Sequence, residues 1–248
     1  MALRRFRADL HIHSCLSPCG ELTIYPQRIV ERALEMGLDI IALTDHNTAE
    51  NAGATLRAAR GTNLTVLPGM EVTTQEEVHL LGLFPSLEAA LSVQEEVYRR
   101  LPDIPSRRSL VRDQVIVNEK DEVTGFNARC LIGAAELDVY KVVALVHGAG
   151  GLAIASHIDR EAFSLISQLG FLPPDLELDA VEVSPLTSVA RARDSFESCS
   201  HLPFVRFSDA HRPEEIGRAS TDFVLASPSV EEIRAAFRGT GGRRVGRP

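Results

Sequence analysis

Asp9-Leu10-His11-Ile12-His13 ends the first apolar run of the chain, and its reading decides the fold. Histidines two apart on a strand leave the same face, so the pair can hold one ion. Comparable clusters follow at Thr44-Asp45-His46, Gly69-Met70-Glu71, Val78-His79, Ser156-His157 and Ser208-Asp209-Ala210-His211. Each comes after a short apolar run that reads as a strand. Donors delivered from the ends of many strands converge only where those strands form a closed or curved sheet.

Working outward, strands are predicted at Arg7–Ile12, Ile40–Leu43, Leu64–Leu67, Val78–Leu83, Leu152–Ala155, Ala180–Val183, Phe204–Phe207 and Thr221–Leu225. Between them lie helical patterns. Pro26 opens a helix that carries Ile29, Val30, Ala33 and Leu34 inward and stops at Gly37. Thr48 is placed to cap the next helix, and Ser86 a long one through Tyr98. Further helices are predicted from about Ala135 to His147, over Ala162–Leu169 and Val189–Cys199, and from a Ser229 cap through Phe237. Val115–Val117 and Glu122–Thr124 flank a turn and suggest a β-hairpin insertion around 113–126. The Gly- and Arg-rich tail from Gly239 is expected to fray. Strand–helix alternation with short connections points to one α/β barrel domain over 1–248, with its functional residues at the C-terminal ends of the strands.

Composition bounds the function. With 44% hydrophobic and 24% charged residues in 248, the chain can bury a sizeable core. A net charge of −8 counts against a surface that coats long nucleic acid or anionic membrane. No apolar run approaches the ~18 residues of a membrane span. The basic start Met1–Arg7 runs directly into Asp9 and His11, which leaves no signal-peptide core. Four cysteines in a chain of this length do not form a disulfide framework, so a reducing, cytoplasmic setting is expected.

Imidazoles suit zinc, iron and manganese, and carboxylates can bridge two ions. Glu71, arriving on its own strand end, is the natural bridge. Clustered cations bind a phosphate, lower the pKa of a bound water and stabilise in-line displacement at phosphorus. No nucleophilic side chain is then required.

In this order the six elements, which reach over nearly the whole chain, resemble the PHP (polymerase and histidinol phosphatase) family of metal-dependent phosphoesterases. The resemblance implies a distorted TIM-like (β/α)7 barrel holding two or three divalent ions of zinc, manganese or iron. It would give the first ion His11, His13, Glu71 and Asp209. The second would share Glu71 and add His79 and His157. The third would take His46, His211 and a donor from the loop after His13. Many relatives have Asp or His in that loop, whereas here Cys19 stands at the matching place, with Cys15 as a second candidate. A thiolate there would favour zinc. Glu71, Asp209 and His211 are the residues expected to carry turnover by a metal-bound hydroxide.

Several neighbours have both bland and functional readings. Asp9 and Asp45 adjoin ligand histidines and could orient imidazoles without touching metal, and Asp45 could instead cap a turn. Arg160 and Arg212 follow ligand histidines and are placed to grip a phosphate. Arg107, Arg108 and Arg112 read as a solvated insertion that could guide an anionic substrate. His147, His201, Cys130 and Cys199 lie outside every motif.

The expected substrate is a small phosphorylated metabolite or nucleotide, with exonuclease action on short oligonucleotides as an alternative. Two other readings remain open, an amidohydrolase-like C–N hydrolase and a non-catalytic metal-stabilised module. The first typically needs a bridging lysine, and Lys120 and Lys141 fall outside the motifs. The oligomeric state is not legible.

Overall fold

In the computed structural model, which describes residues 2–103 and 113–246, apolar and amphipathic runs alternate as strands and helices. In chain order these are β1 (Arg4–Ile12), α1 (Pro26–Glu35), β2 (Ile40–Leu43), α2 (Ala52–Ala58), β3 (Thr65–Thr73) and β4 (His79–Leu83). Then come α3 (Leu87–Tyr98), β5 (Val115–Val117), β6 (Val123–Phe126), α4 (Val139–Gly148), β7 (Leu152–Ala155) and α5 (Leu165–Leu169). The last are β8 (Ala180–Val183), α6 (Val189–Ser195), β9 (Phe204–Arg206), β10 (Thr221–Leu225), α7 (Val230–Phe237) and β11 (Arg244–Val245). Arg107, Arg108 and Arg112 lie outside the described residues.

Nine strands form one sheet in the order β11-β10-β1-β2-β3-β4-β7-β8-β9. It curls until Ala210, just past β9, meets Ile12 of β1 in a parallel bridge, and His13 N–H donates to Ala210 O at 2.9 Å. The nearly closed ring is the expected distorted α/β barrel. Its distortion is specific: β4 runs antiparallel to both β3 and β7 while the other ring pairs from β1 to β9 are parallel, and β10 and β11 add antiparallel strands beside β1. Gly69 lies where β3 is held between β2 and β4; a Cβ there would come within 2.9 Å of Gly82 O and 3.1 Å of Leu43 O. No helix among the described residues is long and apolar enough to cross a membrane.

Two apolar clusters divide the interior. Leu10, Ile40, Ala42, Leu67, Leu81, Ile154, Ala180 and Val205 fill the barrel, and Val230 and Ile233 of α7 pack against the same cluster. Ile41, Leu43, Val66, Ala153 and Val181 point outward to the helices. Along β1, Phe6, Ala8 and Leu10 belong to the inner cluster but Ile12 belongs to the outer one. The ladder to β2 shifts register between Asp9 and Ile12. That irregularity reverses the strand's alternation, so His11 and His13 face the barrel interior where Ile12 would otherwise point.

Several boundaries differ from expectation. Thr48 does not cap α2; its Oγ1 lies 3.1 Å from Gln94 Oε1 and 2.6 Å from Tyr98 Oη. Helix α5 begins at Leu165, not Ala162, because Phe163 takes φ 58° and Ser164 becomes the cap, accepting from Ser167 N–H. Helix α4 likewise begins only after Asp138, whose side chain accepts from Lys141 N–H. The tail from Gly239 was expected to fray, yet it turns at Gly239, Gly241 and Gly242, all at positive φ, and returns as β11 beside β10. Arg243 pairs with Glu232 at 2.7 Å and Gly246 N–H donates to Asp222 O, which holds the segment down.

The hairpin β5–β6 forms a separate sheet that docks on the loop after β1. Asn51 Nδ2 donates to Val115 O (3.1 Å) and to Ser14 Oγ (3.0 Å), and Val117 N–H donates back to Asn51 Oδ1.

Candidate metal centre

Five imidazoles surround one carboxylate at the C-terminal mouth of the barrel. Glu71 is 1% exposed, and its Oε1 lies 3.4 Å from His11 Nε2, 3.1 Å from His79 Nδ1 and 3.4 Å from His157 Nε2. Its Oε2 lies 3.4 Å from His13 Nε2 and 3.2 Å from His46 Nδ1. Asp209 Oδ1 reaches His11 Nε2 and His13 Nε2, each at 3.2 Å. His211 adds a ring stacked on His13 with centroids 4.2 Å apart.

Three sets of donors are close enough to share an ion: His11, His13, Glu71 and Asp209; His46, Glu71 and His79; and His13, His46 and His211. The first set coincides with the sequence expectation. In the second, His46 takes the place expected for His157, although His157 Nε2 still faces Glu71. In the third, Cys19 does not take part. It is exposed and lies outside all three sets, and His13 supplies the third donor instead. Cys15 is buried under the hairpin against Val115 and Val117, and burial pushes its thiol up to about 12. The loop after β1 turns on itself beside the mouth, with Ser17 N–H donating to Ser14 O, Gly20 N–H to Ser17 O and Glu21 N–H to His211 O at 3.0 Å.

Whether this pocket suits cations can be tested on its own polar atoms. His46 Nδ1, His79 Nδ1, His157 Nδ1 and Glu71 Oε1 are buried and lack hydrogen-bond partners. Orphaned buried donors and acceptors are costly, and a divalent ion satisfies several at once. The donor set therefore fits metal.

Charge balance says the same. Burial disfavours a proton on His11 and on His13, but the surrounding carboxylates outweigh it. Glu182, Asp209 and Glu71 raise His11 well above its ordinary value, and Asp209 and Glu71 raise His13 to about 9. Burial would also raise the acids, yet the imidazoles hold Glu71 and Asp209 well below the usual carboxylate range. Burial and the charge on His13 push His46 well down and His211 to about 4.

Residues outside the donor sets hold the donors in place. Glu182, on β8 and missed in the sequence reading, has its Oε2 2.9 Å from His11 Nδ1 and accepts from His157 N–H at 3.2 Å. The available signal was one acid in Ala180-Val181-Glu182-Val183, on the inward side beside Ala180. Ser17, also missed, links two expected residues: its Oγ lies 3.0 Å from His13 Nδ1, accepts from His46 N–H and donates to Asp45 Oδ1. Asp45 thus orients His13 through a hydroxyl. Asp9 touches no donor imidazole; it accepts from Ser208 N–H and Gly217 N–H at 2.9 Å and fixes the strand end that presents Asp209. His157 (φ 27°), Asp209 (φ 49°) and Asn47 (φ 54°) all take left-handed backbone, which clusters at sites whose surroundings enforce it.

The two arginines part ways. Arg160 sits at the mouth with Nη2 2.5 Å from Asp209 Oδ2. Arg212 turns out to Glu21 (2.9 Å) with its side chain 61% exposed, so it is held away from the donors.

The fold and this constellation define a class. The PHP domain family matches residues 9–164 and the PHP-associated family matches 198–240. The chain belongs to the PHP family and is a metal-dependent phosphoric ester hydrolase. Among relatives, the 5′-3′ exoribonuclease Rnm of Salmonella typhimurium is 27% identical over 85% of this chain and 88% of its own length. Its Escherichia coli counterpart is also 27% identical over the same shares. Among solved structures, a lesion-specific endonuclease from Pyrococcus furiosus superposes with a TM-score of 0.76 at 21% identity over 98% of this chain. The present chain spans 58% of that endonuclease.

Proposed function

We propose that this phosphoesterase cleaves a phosphate ester of nucleotides or short nucleic-acid strands, engaging one phosphate at the cluster. The single observation that carries the reading is Glu71, buried among five imidazoles with its Oε1 unpartnered by hydrogen bonds. The exoribonuclease relatives favour a nucleic-acid substrate over a free small metabolite. The net charge of −8 argued against long polyanions, but gripping one strand end needs few basic contacts.

His11, His13, Glu71 and Asp209 would hold one ion, Glu71 with His79, His157 and His46 a second, and His46 with His211 and His13 a third. Bound cations supply Lewis acidity, bringing a coordinated water's pKa towards neutrality and offsetting phosphoryl charge. Arg160, at the mouth beside Asp209, would present two-pronged donors to phosphoryl oxygens. His211, kept neutral by burial and by His13, has a lone pair free at physiological pH. Asp209 and His211, on the stretch joining β9 to β10, complete a cluster begun by β1, which supports treating 1–248 as one functional domain.

The test is nucleotide or phosphate release from 5′-phosphorylated tri- and tetranucleotides, AMP, ribose 5-phosphate and histidinol phosphate, using zinc-, manganese- or iron-loaded protein. Release is expected from the nucleotide substrates and abolished in Glu71→Ala. Turnover at wild-type rate in that variant, or none of the substrates cleaved with any metal, would overturn the reading.

A further inference from the structure

We propose that Phe163 is the floor of a base-binding subsite, on which the nucleobase attached to the scissile phosphate stacks. The inference rests on the nucleotide reading above and specifies which part of the substrate is recognised. The Phe163 ring lies on His79, with centroids 4.7 Å apart and planes inclined by 18°. Despite this contact Phe163 is 40% exposed. It lines a cleft of about 460 Å³ together with Arg160, Ser184, Leu186 and Thr187. That volume falls within the range of small-ligand sites.

The platform is held rigidly. Phe163 takes φ 58°, a backbone that bulky residues adopt only at a cost. Its carbonyl accepts from His79 N–H at 2.9 Å, which ties the platform directly to a candidate metal ligand. The opposite wall is tied to the same loop, because Asp159 accepts from Ser184 N–H and Ser184 Oγ, both at 2.7 Å. Leu186 on that wall is 95% exposed, an apolar side chain projecting into water beside an aromatic one. Arg160 stands between the cleft and Asp209. A base on Phe163 would therefore be one aromatic layer from His79, with Arg160 facing the phosphate and a single ribose joining the two. Stacking of this kind tolerates any base, since every base offers a π face.

The experiment is calorimetric titration of manganese-loaded protein with non-hydrolysable methylenephosphonate analogues of AMP and of ribose 5-phosphate. Wild type is expected to bind the adenine-bearing analogue roughly tenfold or more tightly, the scale of one base–aromatic stack. Phe163→Ala should reduce that ratio to about twofold or less, Phe163→Trp should keep it, and Leu186→Ser, a fully surface change, should lower it partly. Any effect on the metal through His79 cancels in the ratio. A wild type without preference, or a Phe163→Ala variant that keeps it, overturns the subsite. Because this readout involves no turnover, absence of hydrolysis would sink the proposed nucleotide-ester cleavage alone.

Discussion

Glu182 Oε2 lies 2.9 Å from His11 Nδ1, although 171 residues separate them in the chain. With Nδ1–H donating to this carboxylate, Nε2 of His11 is aimed at Glu71 and Asp209. The same carboxylate receives the N–H of His157, so one buried acid braces two members of the cluster. Such outer partners typically contribute 10–100-fold to metal affinity.

Glu182→Ala is therefore expected to weaken zinc or manganese binding by roughly 10–100-fold in chelator competition. Glu182→Gln, which can still accept from Nδ1–H, should lose less. Equal affinity in all three proteins would show that the contact does not orient His11.

Metal binding should also depend on pH in a defined direction. His13 holds a proton to about 9, because Asp209 and Glu71 overcome the effect of burial. A cation at Nε2 must displace that proton, so affinity should climb as pH rises from 6 towards about 9. Calorimetry in buffers of different ionisation enthalpy should register proton release at pH 7. Binding that is flat across this window would contradict the protonated starting state.

Asp45 accepts from Ser14 N–H, Ser14 Oγ and Ser17 Oγ at 2.6–2.7 Å. Asp45→Ala strands these buried donors, at a cost of about 1–3 kcal/mol for each left unsatisfied. The variant should melt earlier and, through Ser17, hold His13 less firmly. Ser17→Ala should keep most of the stability but lower metal affinity. Melting curves and metal titrations run side by side separate the two effects.

Cys19→Ala should leave the bound-metal stoichiometry unchanged, since the thiol lies outside every donor set. Native mass spectrometry counts the ions. Loss of one ion would restore Cys19 as a ligand and require the loop after β1 to move inward.

Much of this arrangement was legible because strand periodicity is local. Ile40–Leu43 and Leu152–Ala155 were readable as continuous apolar runs, and the donors stood immediately after such runs. Ser86 and Ser229 declared their helices by side-chain chemistry that acts within three residues. Glu182 was not legible, because an acid inside a short strand has no sequence mark of the histidine it will face. The fate of Arg212 was equally hidden; pairing with Glu21 depends on how two distant loops come together.

The order of amino acids determined by itself the alternation of strands and helices, the placing of most candidate donors just after apolar runs and the same-face spacing of His11 with His13. Tertiary structure alone decided which face that was, through the register shift between Asp9 and Ile12. It also decided that Cys19 stays outside, and that Glu182 and Ser17 steer the imidazoles. The reason is range. Periodicity and capping act across a few residues, whereas closing a barrel sets the distance between groups far apart in the chain, and only that closure aims their lone pairs at a common point.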